Sequence, residues 1–164
     1  MQRLVLFEIL LSFTGCTLVP PSRLASAARE GDLTRIRRRV KAGANLNEPS
    51  GVNGWTPLHH AVHNNQPGSV RVLLELGADA DARVPHSVTP LMMAAGYGYD
   101  AIARILLEHH ADPSLKDFHG ETAMDYARHG VADIDRFTWP NQQPTCVRLL
   151  QSEKPRIRTT AVDY

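Results

Sequence analysis

The sequence predicts an all-α solenoid of about four stacked helix-turn-helix repeats, joined by loops that form β-turn hairpins. The first observation is internal similarity, because Leu24, Leu58, Leu91 and Met124 open related segments at spacings of 34, 33 and 33 residues. The second is scarcity of aromatic residues, at 6%, which indicates a core of aliphatic side chains and alanine. The third is a closing triplet that recurs at spacings of 34 and 33 residues: Gly43-Ala44-Asn45, Gly77-Ala78-Asp79 and His110-Ala111-Asp112.

Composition narrows the class of protein before any other motif is considered. The chain has 164 residues, of which 43% are hydrophobic and 21% charged, so it is neither disordered throughout nor collagen-like. Its 18 Lys and Arg residues stand against 17 Asp and Glu residues, and a net charge of +1 disfavours a dedicated nucleic-acid binder. Two cysteines are too few for a disulfide scaffold.

Residues 1–15 are predicted to be a secretory signal peptide. Arg3 and the amino terminus are positively charged, the run from Leu4 to Phe13 is mostly apolar, and Thr14 and Gly15 are small. The apolar run is shorter than the ~20 residues that a membrane-spanning helix needs. The ending Phe-Thr-Gly-Cys at residues 13–16 resembles the lipobox of bacterial lipoproteins.

The lipobox resemblance implies that Cys16 becomes the first residue of the mature protein and carries diacylglycerol on its thiol. Residues 16–22 then form a linker, stiffened by Pro20 and Pro21. Because Thr17 rather than Asp follows the cysteine, analogy with lipoprotein sorting in enterobacteria implies the cell envelope, at the outer membrane facing the periplasm. Glu8 places a charge inside the apolar run, so a cytoplasmic adaptor with a mis-assigned start stays open as an alternative.

The repeats are predicted to occupy residues 23–151, at about 23–50, 51–83, 84–116 and 117–151, with a C-terminal tail at 152–164. Three of them share one frame: Thr56-Pro57-Leu58-His59, Thr89-Pro90-Leu91-Met92 and Thr122-Ala123-Met124-Asp125. Together with the closing triplets, these motifs closely resemble the ankyrin repeat. The resemblance implies an ankyrin-repeat solenoid whose neighbouring repeats must stack, since one helix pair cannot bury its apolar face alone.

The first repeat departs from the pattern as a terminal cap should. It opens without Thr-Pro, and its second helix is predicted from Leu33 to Lys41. Arg39 takes a position that is leucine in later repeats, which favours a solvated terminal face. The helix carries a run of basic residues that could alternatively meet an anionic partner: Arg35, Arg37, Arg38, Arg39 and Lys41.

The second and third repeats have the clearest helix signals. Thr56 and Thr89 are predicted N-caps, and a proline follows each at the first helical position, where a missing N–H costs nothing. Gly77 is predicted to be the left-handed residue just past a helix end. His110 replaces that glycine in the next repeat, which implies either local strain or a different turn.

The fourth repeat holds about ten extra residues between Ala132 and Thr145. This insertion, which includes Phe137 and Pro144, is predicted to be either a folded-over cap or a partner-binding loop. Cys146 follows it and aligns with core positions of earlier repeats, so we predict a buried, unreactive thiol.

The eight histidines suggest a metal site as an alternative function. His59 and His63 are spaced i, i+4 on one predicted helix, a spacing found among metal ligands. The ankyrin resemblance instead implies that His59 hydrogen-bonds neighbouring turns, and no Cys or carboxylate lies at local ligand spacing. We therefore predict no metal, no cofactor and no catalytic residue, because hydrolase, phosphate-loop and zinc-protease motifs are absent.

The ankyrin resemblance implies that a protein partner binds the concave face, formed by the loop tips and the first helices. Trp55, Tyr97 and Phe118 stand where the fold requires no large apolar side chain, so they are predicted anchors. The alternative is that Trp55 and Phe118 only cover the hairpin turns. By register the resemblance also places on this face Val52, Pro85, Val88, Gly96 and Glu121. The predicted contact set is Arg29, Glu30, Asn53, Trp55, His63, Asn64, His86, Tyr97, Phe118, His119 and His129.

The sequence therefore predicts a non-catalytic protein–protein interaction module, exported and lipid-anchored at Cys16. It would bind or inhibit a protein partner at the bacterial cell envelope, and it would contact the membrane through the lipid. No nucleic-acid partner is expected, and the sequence does not identify the protein partner.

Overall fold

Helices alternate in pairs along the chain, as the sequence period predicts. The computed structural model describes residues 22–129, 132–133, 136–137 and 144–152. Two strands, β1 (Ala132–Asp133) and β2 (Arg136–Phe137), form a short antiparallel pair in the fourth repeat. The helices are α1 (Arg23–Glu30), α2 (Leu33–Lys41), α3 (Pro57–His63), α4 (Pro67–Glu75), α5 (Pro90–Tyr97), α6 (Asp100–Glu108), α7 (Ala123–His129) and α8 (Pro144–Ser152).

The eight α-helices of the described residues pack in two layers, which confirms the predicted ankyrin-type all-α solenoid. The first helices of the repeats pack in sequence against one another and are called the inner helices: α1, α3, α5 and α7. The second helices do the same and are called the outer helices: α2, α4, α6 and α8. Alanines in the first helices are fully buried, so these helices approach closely without aromatic side chains. One hydrophobic core runs through the described repeats and is shared between neighbours.

The predicted N-caps are confirmed in the second and third repeats. The Thr56 hydroxyl accepts from the backbone N–H of His59, and Thr89 accepts from Met92 in the same way. The fourth repeat reverses the arrangement, because the Asp125 carboxylate accepts from both the backbone and the hydroxyl of Thr122. All three hydrogen-bonding arrangements satisfy backbone N–H groups that would otherwise be unpaired at the start of a helix.

The turns that close the repeats follow the predicted backbone. Gly77 is left-handed, with φ of 97°, and His110 adopts the same conformation with φ of 70°. His110 therefore keeps the turn at the cost of strain, rather than forming a different turn. Side chains also join one turn to the next, since Asn47 accepts from the backbone of Asp79 and Asp81 accepts from that of Asp112.

The ends of the chain bear on several predictions. Residues 1–21, which include the predicted signal peptide and Cys16, lie outside the described residues, as do residues 153–164 of the predicted tail. Ser152, the first residue of that tail, instead ends α8. Within the insertion, only the two strands and the start of α8 are described. None of the described helices is long and apolar enough to cross a membrane.

Candidate functional site

A cavity of about 410 Å³ opens between the loops of the second and third repeats and the inner helices α5 and α7 behind them. Its walls are mainly aromatic and aliphatic, with a few polar groups, which is the usual composition of a protein's binding sites. We call this space the loop cavity. It is lined by Val52, Asn53, Trp55, Val84, Pro85, His86, Val88, Met93, Tyr97 and Tyr126.

A chain of aromatic rings forms the wall nearest the second repeat. The Trp55 ring centroid lies 4.7 Å from that of His63 and 5.4 Å from that of His60. His63 in turn meets Tyr97 at 5.7 Å, and Tyr97 meets Tyr99 at 5.3 Å. These separations are typical of favourable tilted and edge-to-face ring pairs. Trp55 is thus fixed on one side by the fold while its ring lines the cavity.

Tyr97 belongs to the cavity wall rather than to the open surface. It was predicted as an anchor at a position where the fold needs no large side chain, but it is only 8% exposed. Its hydroxyl is hydrogen-bonded to Nδ1 of His63, with 3.0 Å between the two atoms. Tyr97 therefore couples the second repeat to the third, and a partner would meet part of its ring through the cavity.

The loop of the fourth repeat is built around the Asp117 carboxylate. Oδ1 accepts from the backbone N–H groups of His119 and Glu121, and Oδ2 accepts from the hydroxyl of Tyr126. Burial raises the pKa of Asp117, but these hydrogen bonds more than offset that effect, so its pKa lies below the usual value. Burial and the bond to Asp117 raise the pKa of Tyr126. The ionised carboxylate thus holds the Tyr126 ring in the cavity wall.

The tip of the third loop is strained. His86 and the next residue, Ser87, have φ of 68° and 60°, a left-handed backbone that non-glycine residues rarely adopt. The His86 carbonyl accepts from the backbone N–H of Phe118, so the third and fourth loops are joined at this point. Strain of this kind is found at functional sites more often than elsewhere.

Two large apolar side chains are exposed on the loops, Val52 in the cavity lining and Phe118 beside the cavity. Val52 is 73% exposed and Phe118 is 80% exposed. Phe118 therefore does not cover its own hairpin turn, which was the alternative interpretation for this residue. Exposed apolar side chains beside an apolar cavity are typical of a protein-binding surface.

His59 and His60 occupy the helix behind the second loop and have different environments. His59 is buried between the Thr56 hydroxyl, 2.7 Å from Nδ1, and the Val88 carbonyl, 3.4 Å from Nε2. Burial lowers its pKa to about 4, although the bond to Val88 acts in the opposite direction. The pKa of His60 is lowered mainly by burial, and also by the nearby charges of Arg29 and His63. Both rings are therefore uncharged at neutral pH.

The remaining predicted contact residues do not line the cavity. Arg29 and Glu30 are exposed at the end of α1, and Glu30 pairs with Arg35. Asn64 is half-buried and donates to the His60 carbonyl, so it closes its helix. His119 and His129 are exposed in the fourth repeat. Among the predicted set, the structure brings Asn53, Trp55, His86 and Tyr97 together around one space.

Metal and thiol chemistry find little support in the described residues. Among them, no three His, Cys, Asp or Glu side chains come together as a metal site. His59 is bound by Thr56 and Val88, which matches the role the ankyrin resemblance implies. Cys146 is fully buried, and its S–H donates to Asp100 at 2.8 Å. Burial, with the contact to Asp100, raises the pKa of Cys146 to about 12, so the thiol stays protonated and unreactive.

Sequence reasoning missed Val84, Met93 and Tyr126 in the cavity wall. Met93 and Tyr126 occupy one register position, since Tyr126 lies 33 residues after Met93, and Met93 lies 33 after His60. A comparison of repeats position by position would have placed His60, Met93 and Tyr126 on the inner helices facing the loops. No sequence pattern indicated the cavity itself, because its shape depends on how the loops of two separate repeats pack against the helices.

Comparisons with known proteins give a consistent result. Residues 24–117 match the family model "Ankyrin repeats (3 copies)". A BTB/POZ domain and ankyrin repeat-containing protein of Oryza sativa is 32% identical over 78% of this chain and 29% of its own length. A glycerophosphocholine phosphodiesterase of Schizosaccharomyces pombe is 39% identical over 66% of this chain and 10% of its own length. The neurogenic locus notch homolog protein 1 of Xenopus tropicalis is 33% identical over 66% of this chain and 4% of its own length. The chain thus spans less than a third of each of these relatives.

Proposed function

This chain belongs to the ankyrin-repeat family, whose repeats are typically non-catalytic protein-interaction modules, and we propose that it is a lipid-anchored protein of the bacterial cell envelope. In this proposal Cys16 carries the lipid, and the loop side of the solenoid binds or inhibits a protein partner. The protein faces the periplasm from the outer membrane.

The observation that carries the binding proposal is the loop cavity, with the exposed Val52 in its lining and the exposed Phe118 beside it. The cavity offers a concave, mostly apolar space, and the Phe118 side chain stands 80% exposed beside it. An interface gains most where an aromatic anchor is buried in a pocket and surrounding contacts exclude water. Here the partner would place an apolar side chain in the cavity, while Phe118 and Val52 pack on the partner.

The polar groups of the wall favour such an apolar anchor. The hydroxyl groups of Tyr97 and Tyr126 are already bonded, to His63 and Asp117. Filling the cavity with an apolar side chain would therefore leave neither phenol newly unpaired. Asn53, exposed at the rim, remains available to bind the partner's backbone and fix its orientation.

The anchor proposal is supported by the N-terminal residues alone. Arg3, the apolar run that follows and the small residues before Cys16 are arranged as in a lipoprotein signal. A lipid on Cys16 would hold the repeats close to the membrane and so raise the effective concentration of an envelope partner.

The test is photo-crosslinking in cells that make the protein. A photoreactive phenylalanine analogue replaces Phe118, and the matched control places it at Leu33, another exposed apolar residue, on α2. We expect one defined protein adduct from position 118 and none from position 33. The Phe118→Ala variant should lower recovery of that same partner at least tenfold, because an interface anchor contributes about 2 kcal/mol.

Equal adducts from both positions would contradict the assignment of the loop side as the binding surface. A Cys16→Ser arm tests the anchor separately. This variant should appear in the soluble fraction without the mass of a lipid, while still forming the adduct from position 118 in lysate. Unchanged mass and unchanged fractionation of Cys16→Ser would show that the chain is not a lipoprotein.

A further inference from the structure

We propose that the first repeat carries a docking surface for anionic lipid headgroups. We call it the basic end surface, and it consists of Arg23, Arg38, Arg39 and Lys41. Its orientation toward the membrane rests on the proposed lipid at Cys16, whereas its affinity for anionic lipid rests on its own charge.

Charge is divided unevenly along the solenoid. Residues 23–50 hold seven Lys and Arg residues against three Asp and Glu residues, a net charge of +4. Residues 51–152 hold seven against eleven, a net charge of −4. The balanced total of +1 therefore hides a molecule with a basic first repeat and acidic later repeats. Such a molecule turns its basic end toward an anionic surface and its acidic end away from it.

The basic residues replace core residues of the other repeats. Arg38 and Arg39 correspond by register to Val72 and Leu73, and again to Ile105 and Leu106. Those four residues are buried in the core that neighbouring repeats share. Among the described residues no repeat packs on the outer side of the first repeat, so the same positions form the end of the described solenoid. A cap needs polar residues there, but it does not need every one of them to be positive.

Two of the other three cations of the first repeat, Arg35 and Arg37, have ion-pair partners, whereas Arg29 forms no ion pair among the described residues. Arg35 pairs with Glu30 at 2.6 Å, and Arg37 pairs with Glu75 of the second repeat at 3.5 Å. The next outer helix repeats the latter contact, since Arg71 pairs with Glu108 at 3.6 Å. Lys41 occupies the register position that holds Glu75 in the second repeat and Glu108 in the third. Among these three repeats, only the first therefore has a positive charge at this position.

The residues of the basic end surface have no such partners. Within residues 22–129 and 144–152, none of its four side chains forms an ion pair. Phosphate oxygens suit the planar guanidinium groups of Arg23 and Arg38, which are exposed at this surface.

The four residues also lie at one end of the helix pair. The turn at Gly31 and Asp32 joins α1 to α2, so the helices run antiparallel and the start of α1 lies beside the end of α2. Arg23 is at that start, and the other three are in the last turn of α2. Cys16 precedes Ser22 by six residues, a span of at most about 20 Å. A lipid on Cys16 would thus keep this end of the solenoid within reach of the headgroups.

Anionic lipid fits this surface better than nucleic acid does. A nucleic-acid strand would extend beyond the first repeat and meet the net charge of −4 on the later ones. A membrane meets only the end of the solenoid and adds about 1 kcal/mol for each basic residue at its surface.

The test measures sedimentation of the full-length Cys16→Ser chain with two kinds of vesicle. One contains equal amounts of phosphatidylethanolamine and phosphatidylglycerol, and the other contains phosphatidylcholine alone. Residues 1–15 are the same in every variant, so the difference between vesicles reports on charge. The Arg38→Gln, Lys41→Gln double variant should bind the anionic vesicles about thirtyfold more weakly, or about fivefold per residue lost.

The matched control is the Arg83→Gln, Arg104→Gln double variant, which removes two exposed cations from later repeats. It should change binding by less than about twofold, because those residues lie outside the end of the solenoid. Equal losses in both double variants, or equal binding to both kinds of vesicle, would overturn the proposal. So would tighter binding to single-stranded RNA than to the anionic vesicles, which would indicate a nucleic-acid surface.

The mass of Cys16 in protein taken from the envelope separates this proposal from the proposed anchor. If Cys16 carries no lipid but the vesicle results hold, the anchor is wrong and the docking surface stands. If Cys16 is lipidated and the vesicle results fail, the docking surface is wrong and the anchor stands.

Discussion

The second and third repeats share one backbone plan but hold their inner helices with different side chains. Position three of the inner helix is His59 in the second repeat and Met92 in the third, and each contacts the N-cap threonine of its own helix. His59 also donates a hydrogen bond to the Val88 carbonyl at the start of the third repeat. The thioether of Met92 has no N–H or O–H group and cannot make such a bond. The comparison teaches that one register position can serve either as simple packing or as a polar bridge between repeats.

The same two repeats differ at the turn that closes each of them. Gly77 adopts the left-handed backbone without strain, whereas His110 adopts it with a side chain present. The repeat plan therefore tolerates a local cost, because the packed helices on both sides fix the turn.

The largest expected effect concerns the His59 bridge. The pKa of His59 is about 4 when folded and 6.5 when free, so between these values the unfolded chain binds more protons. The contribution of His59 to the free energy of unfolding is fully present above pH 6.5. It falls as the pH drops toward 4, by about 3 kcal/mol in total. The His59→Met variant should be less stable at neutral pH, through lost hydrogen bonds, but should lack this loss in acid. Urea unfolding at neutral pH and near pH 4 measures both.

The reciprocal variant sharpens the result. Met92→His should bring a new acid-sensitive step if the third repeat can bury a histidine as the second does. A stability difference between the wild type and His59→Met that does not change with pH would contradict the burial of an uncharged His59.

An intermediate effect is expected at the closing turns. Gly77→Ala should destabilise the fold by about 1 kcal/mol, from backbone strain alone, since a Cβ there meets nothing within 4 Å. His110→Gly should stabilise it by about 0.5 kcal/mol, because relief of strain exceeds the added freedom of the unfolded chain. Thermal unfolding of both variants measures these two opposite changes in stability. If both variants were stabilised, or both destabilised, the prediction would be contradicted.

The smallest effect is expected at the outer ion pairs that the two repeats share. In the Arg71–Glu108 ion pair, the Arg71 side chain is 50% exposed and the Glu108 side chain 49% exposed. The guanidinium nitrogen and the carboxylate oxygen are 3.6 Å apart. Arg71→Gln should therefore cost about 0.5 kcal/mol or less, and the cost should fall further in high salt. Arg104→Gln, which removes an exposed arginine at the same register position, is the control. A cost above about 1 kcal/mol for Arg71→Gln alone would show that the outer helices depend on this pair.

Much of the repeat plan could be predicted because its signals are local. Thr56 and Thr89 cap the helices that directly follow them, and a glycine just after a helix, such as Gly77, indicates a left-handed backbone at that residue. The spacing of Leu58 and Leu91 fixed the register from which buried positions were predicted, and both are buried. The caps at Ser22 and Asp32 were not predicted, although both are ordinary N-cap residues.

The candidate site was predictable only in part. Trp55 and His86 were assigned to the loop side by register, and both line the cavity. Tyr97 was expected to be a surface anchor, but packing against Tyr99 and the bond to His63 bury it. Nothing near Asp117 in sequence indicated that it would fix the Tyr126 ring, because that contact requires the loop to fold back on its helix.

The sequence by itself determined the repeat count, the helix pairs and the uneven charge, because each depends on residue type at a fixed spacing. Only the tertiary structure decided which side chains stay free. It paired Arg35 and Arg37 while leaving Arg38 and Lys41 without ion-pair partners among the described residues, and it buried Tyr97 while exposing Phe118. The physical reason is that exposure and pairing depend on the neighbouring repeat, about 33 residues away in the chain, and not on the residues next in sequence.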